Sequence, residues 1–124
     1  MFDSQDELIA ALREEHRILV QLERSYSELV LLTEASEYRC LPKAIDDIAA
    51  VEAALGAAEL MRAAACQQEG VGEATSDGLL AASPDEPLVG PLVTEMRRLY
   101  LDVSSHRDLA MRATDARLGD LAES

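Results

Sequence analysis

The chain has 124 residues, which suits a single domain, and 48% of them are apolar, as in a folded globular protein. Its net charge of −13 disfavours nucleic acid and anionic membranes as partners, since both repel an acidic surface. Residues 71–91 carry four acids and no base, whereas residues 92–124 carry six acids and five arginines. We interpret the acidity as a source of solubility for a chain with an exposed apolar face.

The cysteines and the N-terminal residues indicate the cellular compartment of the protein. Cys40 and Cys66 belong to no CxxC or histidine-containing motif. Two buried free thiols in a reducing cytosol are the favoured interpretation, and a disulfide is the alternative. The acidic first residues do not resemble a signal peptide, and no apolar run approaches the length of a membrane span. These features predict a cytoplasmic protein with no membrane insertion.

The first helix is predicted over about residues 5–37. Ser4 and Glu7 have the spacing of a capping box at its start. Apolar side chains then recur every three or four residues, which places them on one helix face, here called the first seam. The width of this face predicts contact with two other helices. The first seam comprises Leu8, Leu12, Glu15, Leu19, Leu22, Tyr26, Leu29 and Thr33, widened by Ile9, Ile18, Val30 and Leu32.

Pro42 predicts a break in the helical pattern. A turn near residues 38–41 and a second helix over about residues 42–68 is one interpretation, and a kinked continuous helix is the other. Gly56 lies inside this helix, where it is compatible with a close helix crossing, and Gly70 suits a C-terminal cap. The predicted apolar face of the second helix comprises Ile45, Ile48, Val51, Leu55, Ala58, Met61 and Ala65.

A connector and a third helix complete the chain. Residues 70–91 hold four of the six glycines and three of the four prolines, and Thr75 can cap a short helix over about residues 76–82. The third helix is predicted over about residues 91–120. The predicted fold is all-α: an elongated antiparallel bundle of three long helices with a short connector helix, forming a single domain over residues 1–124. The seam of the third helix comprises Leu92, Met96, Leu99, Val103, His106, Ala110 and Ala113.

The side chains that could carry chemistry do not form a recognisable site. The only histidines, His16 and His106, lack the Glu-x-x-His spacing of metal-binding bundles and the lysine that follows a phosphotransfer histidine. There is no Gly-x-Ser-x-Gly elbow and no glycine-rich phosphate loop. We therefore expect a protein that is not an enzyme and has no metal or cofactor. His106 is interpreted as a hydrogen-bonded, half-buried seam residue, and the paired carboxylates of residues 14–15 and 46–47 are interpreted as solvated.

Three stretches carry a resemblance to a known family. Residues 29–34 lead through a short polar break to residues 44–52, residues 70–80 form a glycine-containing connector, and residues 92–118 form a last long helix. In lengths and periodicity, nearly the whole chain resembles the flagellar export chaperones of the FlgN type, which guard the hook–filament junction proteins. The paired asparagines often found in the last helix of that family are missing, because this chain contains no asparagine.

The resemblance implies a non-enzymatic cytosolic chaperone for flagellar type III export. Its expected partners are hook-associated proteins, whose C-terminal helical segment it would bind. The alternative is a generic helical adaptor or a homodimeric structural protein, in which the seam of the third helix simply forms the intramolecular core. The residues expected to bind the partner are Leu99, Val103, His106, Leu109, Ala110 and Ala113.

Overall fold

The computed structural model describes residues 4–68 and 89–123. Helix α1 spans Ser4–Glu34, a 3₁₀ turn spans Tyr38–Cys40, helix α2 spans Leu41–Gln68 and helix α3 spans Val89–Glu123. Neither described stretch contains a strand, so the prediction of an all-helical chain with three long helices is confirmed. The predicted connector helix over residues 76–82 and the Gly70 cap lie outside the described residues.

The end of α1 explains the break before α2. Ser36 adopts a left-handed conformation with φ of 59°. Its N–H donates to the Thr33 carbonyl at 3.1 Å, and the Glu37 N–H donates to the Leu32 carbonyl at 2.9 Å. These two bonds form a Schellman cap, which satisfies the last carbonyl groups of a helix. The kinked continuous helix is therefore wrong, and a turn precedes a helix that contains Pro42 in its first turn.

Helix α1 is the central helix and packs against both α2 and α3. The eight core positions of the first seam, from Leu8 to Thr33, are all buried, including the polar Glu15 and Thr33, whereas the flanking Val30 and Leu32 are half-buried. The Thr33 hydroxyl donates to the Leu29 carbonyl at 2.8 Å, which satisfies a buried polar group inside the helix. The prediction that the first helix contacts two others is confirmed.

The order of contacts relates the helices to one another. On α2, Tyr26 meets Glu52 and Glu15 meets Arg62, so later residues of α1 contact earlier residues of α2. On α3, Glu15 meets Tyr100, and the Arg117 Nη2 donates to the Glu34 carbonyl at 3.4 Å. Later residues of α1 therefore contact later residues of α3. Helix α3 thus follows α1 along its length, while α2 pairs with α1 in reverse order.

The apolar face predicted for α2 is wrong at two positions. Ile48, Val51, Ala58 and Ala65 are buried, but Ile45 is 48% and Met61 59% exposed. Three residues advance a helix by about 300°, so two successive steps of three rotate a stripe by about 120°. Such paired steps separate Ile45 from Val51 and Leu55 from Met61, so Ile45 and Met61 turn away from α1, while Ala65 returns to the buried side.

Two further expectations for this region are corrected. Cys66 is buried but Cys40 is exposed, although both are free thiols. Cys40 lies in the 3₁₀ turn, where none of the three residues is buried. A Cβ added to Gly56 would meet no atom within 4 Å. Gly56 therefore marks no close helix crossing among the described residues.

Candidate interaction surface

The six residues predicted to bind a partner all lie on α3 but differ in accessibility. Leu99, Val103 and Ala110 belong to the core, with exposures of 2%, 7% and 1%. His106 and Ala113 are half-buried. Leu109 is 48% exposed. The structure thus places three of the six in the packing of α3 on α1, and Leu109 has the most accessible side chain of the set.

Two histidines lie between α1 and α3. The His106 Nδ1 is 3.9 Å from the Glu23 Oε1, and the His16 Nε2 is 3.9 Å from the Glu95 Oε1. His106 is half-buried as predicted, but its buried Nδ1 has no hydrogen-bond partner in the part of the chain that the structure describes, so the hydrogen-bonded interpretation is wrong there for that atom. Each imidazole, when protonated, would form an ion pair between the same two helices.

A buried polar cluster joins all three helices. Glu15 is fully buried. Its Oε2 accepts a hydrogen bond from the Arg62 Nη1 at 2.5 Å and another from the Tyr100 hydroxyl. The Glu15 Oε1 and the Arg62 Nε have no hydrogen-bond partner within residues 4–68 and 89–123. The expectation that Glu15 is solvated is therefore wrong, whereas Glu14 remains at the surface and pairs with Arg17 at 2.5 Å.

Burial controls the protonation of this cluster. Loss of hydration raises the pKa of Glu15, and repulsion from Glu59 adds to this, while the contacts with Tyr100 and Arg62 oppose it. Burial and the bond to Glu15 also raise the pKa of Tyr100, so its hydroxyl keeps its proton. With the carboxyl fully buried, this cluster can hold helices together but offers no exposed acid for chemistry on a substrate.

A second interhelical contact joins α1 to α2. The Tyr26 hydroxyl donates to the Glu52 Oε1. Burial and the adjacent carboxylate raise the pKa of Tyr26 to about 12, so the phenol remains a donor at neutral pH. Glu52 itself is exposed. This contact therefore lies at the edge of the helix pair rather than in its centre.

Sequence reasoning missed the Glu15 cluster, although one signal was present. Glu15 occupies a seam position among leucines, and a polar group at a buried position needs partners. Its partners, Arg62 and Tyr100, lie 47 and 85 residues away along the chain. Periodicity within one helix cannot identify partners at such distances.

Large apolar side chains remain exposed on α2 and α3. Leu60 is 74% and Met61 59% exposed on α2, and Leu101 is 71% and Met111 58% exposed on α3. Over residues 53–64 the other exposed positions of α2 are alanine or Gly56, whereas charged side chains are exposed nearer its start, at Lys43, Asp46, Asp47 and Glu52. An apolar helix face is normally covered. The outer side of α2 over residues 53–64 is therefore an apolar surface that the described residues leave open.

The described residues show no arrangement suited to a metal ion or a bilayer. Residues 4–68 and 89–123 contain no cluster of three His, Cys, Asp or Glu side chains with the geometry to hold a metal ion. In the same part of the chain, no helix combines the length and apolarity needed to cross a membrane.

Comparison of the chain with protein-family models, with curated proteins and with solved structures gives no match.

Proposed function

We propose that the chain is a non-enzymatic, cytoplasmic chaperone for flagellar type III export that binds the C-terminal helical segment of hook-associated proteins. The observation that carries the proposal is an all-helical chain that leaves large apolar side chains exposed on all three of its long helices, Leu31 of α1 included. An amphipathic segment can lay its apolar face on such a surface, as in other helix-in-groove complexes.

The proposed fold is the elongated antiparallel bundle expected from the sequence. It is supported by the reversed order of contacts between α1 and α2, through Tyr26 with Glu52 and Glu15 with Arg62. Long helices joined by a short turn pack in this way at shallow angles. In this arrangement α2 and α3 both lie along the central α1.

The proposed contact region for the hook-associated segment is the C-terminal half of α3. Leu109 is its exposed apolar anchor, flanked by the half-buried His106 and Ala113. Leu99, Val103 and Ala110 hold α3 on α1 and would touch the segment only after α3 moved away from α1. Because the free segment must become ordered on binding, its affinity is modest for the area it buries.

A generic helical adaptor or a homodimer is the second candidate. The exposed side chains of α2, Ile45, Leu60 and Met61, favour it because they lie away from the predicted α3 surface. The charge of −13 per chain opposes self-association. Sedimentation equilibrium of the purified chain separates the monomeric adaptor from the dimer.

Calorimetric titration of the full chain with C-terminal peptides of the hook-associated proteins from the same genome tests the chaperone proposal. We expect saturable one-to-one binding that Leu109→Asp weakens by about tenfold or more, since it places a charge in an apolar contact. Leu101→Asp is the matched control, because Leu101 is 71% exposed elsewhere on α3. Circular dichroism verifies that both variants remain helical.

The possible outcomes test the identity of the partner and the position of the binding surface separately. No heat with any of these peptides would reject the hook-associated partners and leave the adaptor. If both Leu109→Asp and Leu101→Asp bind these peptides as the wild type does, the hook-associated partner is retained and the α3 contact region is rejected. Val103→Asp is a poorer probe, because Val103 is 7% exposed and a buried charge there would unfold the chain before it reported on binding.

A further inference from the structure

A groove lies between the first half of α1 and the second half of α2, on the outside of the molecule. Its volume is ≈ 350 Å³. Met61, at 59% exposure, is its most prominent apolar side chain. We call it the α1–α2 groove, and its lining residues are Glu7, Ala10, Ala11, Met61, Ala64 and Ala65.

The two walls of the α1–α2 groove differ in chemistry. The α2 wall continues from Met61 and Ala64 back through exposed alanines at 57, 54 and 50, with the alternating steps of three and four that mark one face of a coiled-coil helix. No charged residue belongs to this stripe. The α1 wall follows Glu7 at steps of seven, through Glu14 and Gln21 to Glu28. One wall is thus apolar and shallow, and the other is acidic.

We propose that the α1–α2 groove binds an amphipathic helix of a partner protein that carries lysine or arginine along one edge. Alanine side chains let a helix approach closely, so the apolar face of the partner would lie on α2. Its basic edge would face Glu7 and Glu28, for which the structure shows no ion pair in the described residues, while Glu14 is shared with Arg17 at 2.5 Å. The stripe from residue 50 to residue 64 is about 21 Å long, and Glu7 and Glu28 lie about 31 Å apart along α1, so a helix of about five turns with long basic side chains at both ends would reach both.

Charge decides between this occupant and two others. A second copy of the chain would bring a further net charge of −13 to the acidic wall. The connector of the same chain carries four acids and no base over residues 71–91, so it would also set like charges against Glu7 and Glu28. Like charges across an interface cost free energy, whereas opposite charges steer association. A basic-edged helix from another protein therefore fits the groove best.

This inference goes beyond the proposed function, because it applies to any partner with such a helix and uses neither Leu109 nor the rest of the predicted α3 surface. The probe is a designed helical peptide of about 18 residues, with leucine and alanine on one face and lysine at the adjoining edge positions. Its twin carries glutamate in place of each lysine. Both are titrated calorimetrically into the full chain, into Met61→Glu and into the control Leu101→Glu, which makes the same change at a 71% exposed leucine of α3.

We expect the lysine peptide to bind the wild type and Leu101→Glu alike, and Met61→Glu about tenfold or more weakly, because a charge in the apolar stripe loses its hydration on binding. Met61 is exposed, so Met61→Glu should retain its helical circular dichroism. The glutamate twin should bind the wild type at least about tenfold more weakly than the lysine peptide. The double variant Glu7→Lys with Glu28→Lys should reverse that preference.

Several results would overturn the inference. Equal binding of the two peptides, or unchanged binding to Met61→Glu, would reject the basic-edged occupant. A concentration-dependent dimer in sedimentation, lost in Met61→Glu, would assign the groove to a second copy. The same titrations keep the two proposals apart: hook-associated peptides that bind Met61→Glu normally, with no binding of the designed peptide, would reject the groove and retain the chaperone.

Discussion

Glu15 places a carboxyl group where three helices meet. Burial of an ion pair costs hydration, and replacing such a pair with apolar residues is often neutral or stabilising, so this contact is weak support for stability as such. Its partners, Arg62 on α2 and Tyr100 on α3, bind the same oxygen atom. The three side chains can meet only in one register of the helices. We therefore infer that Glu15 fixes how α2 and α3 align on α1.

The raised pKa of Glu15 predicts how Glu15→Gln changes with pH. Because the folded state holds this proton more tightly than the unfolded state, the stabilisation is present below the ordinary pKa of 4.5 and is lost as pH rises through the raised value. Gln retains an oxygen that accepts from Arg62 and Tyr100 but has no charge to bury. The free energy of unfolding of Glu15→Gln should therefore rise relative to wild type as pH increases from about 4 to about 7. Urea unfolding across this range measures the difference.

Glu14→Gln is the control for this experiment. The hydrogen bond from Arg17 lowers the pKa of Glu14, so its contribution has the opposite sign and is lost as pH falls. Glu14 also remains at the surface, where such pairs contribute little. A Glu15→Gln variant whose stability follows the same pH curve as wild type would show that Glu15 is not desolvated in the folded chain.

At the scale of the element, Ser36 is the costly residue of the cap that ends α1. Its φ of 59° lies in the left-handed region, which is unfavourable for residues with a Cβ. Ser36→Gly should raise the free energy of unfolding by about 0.5–1 kcal/mol, because glycine adopts this conformation without a steric penalty. Ser105→Gly, in the exposed middle of α3, should lower it by a similar amount. Destabilisation by both variants would mean that Ser36 bears no strain.

Gly56 offers the reverse substitution. It lies inside α2, and a Cβ added there would meet nothing within 4 Å. Gly56→Ala should raise the free energy of unfolding by about 0.5–1 kcal/mol, because alanine loses less conformational freedom in a helix. Gly119→Ala has equal space but lies near the end of α3, where fraying reduces the gain. Chemical denaturation compares the two variants, and a loss of stability in Gly56→Ala would contradict the open environment.

The helices show which structural features local sequence patterns can predict. The seams of α1 and α3 could be predicted because their apolar residues alternate steps of three and four, which stay on one face. The face of α2 was misjudged at Ile45 and Met61, because alanine is so frequent there that several stripes look alike. The α1–α2 groove was not predicted for the same reason, since it depends on which alanines α1 leaves exposed. The tertiary packing decides among stripes that the sequence leaves equivalent.

At the scale of the whole molecule, the central α1 organises the other two helices. It supplies buried leucines to the core, and Arg62 of α2 and Tyr100 of α3 both donate to its Glu15. Helix α2 therefore packs one side against α1 and has an apolar outer side. This asymmetry suits a protein whose exposed helix surfaces are completed by another helix.

The net charge of −13 predicts that salt stabilises the folded chain. Folding concentrates these negative charges, and their mutual repulsion opposes the compact state. Raising NaCl from about 10 mM to about 150 mM shortens the screening length from about 30 Å to about 8 Å, which weakens that repulsion. The exposed pairs of Arg17 with Glu14 and Arg98 with Glu95 are screened too, but pairs of this kind contribute little. The melting temperature, followed by circular dichroism at pH 7, should therefore rise with NaCl, whereas an uncharged solute at matched osmolality should not reproduce the rise. A melting temperature that falls with NaCl would mean that specific ion pairs, rather than the overall repulsion, dominate the electrostatics of this bundle.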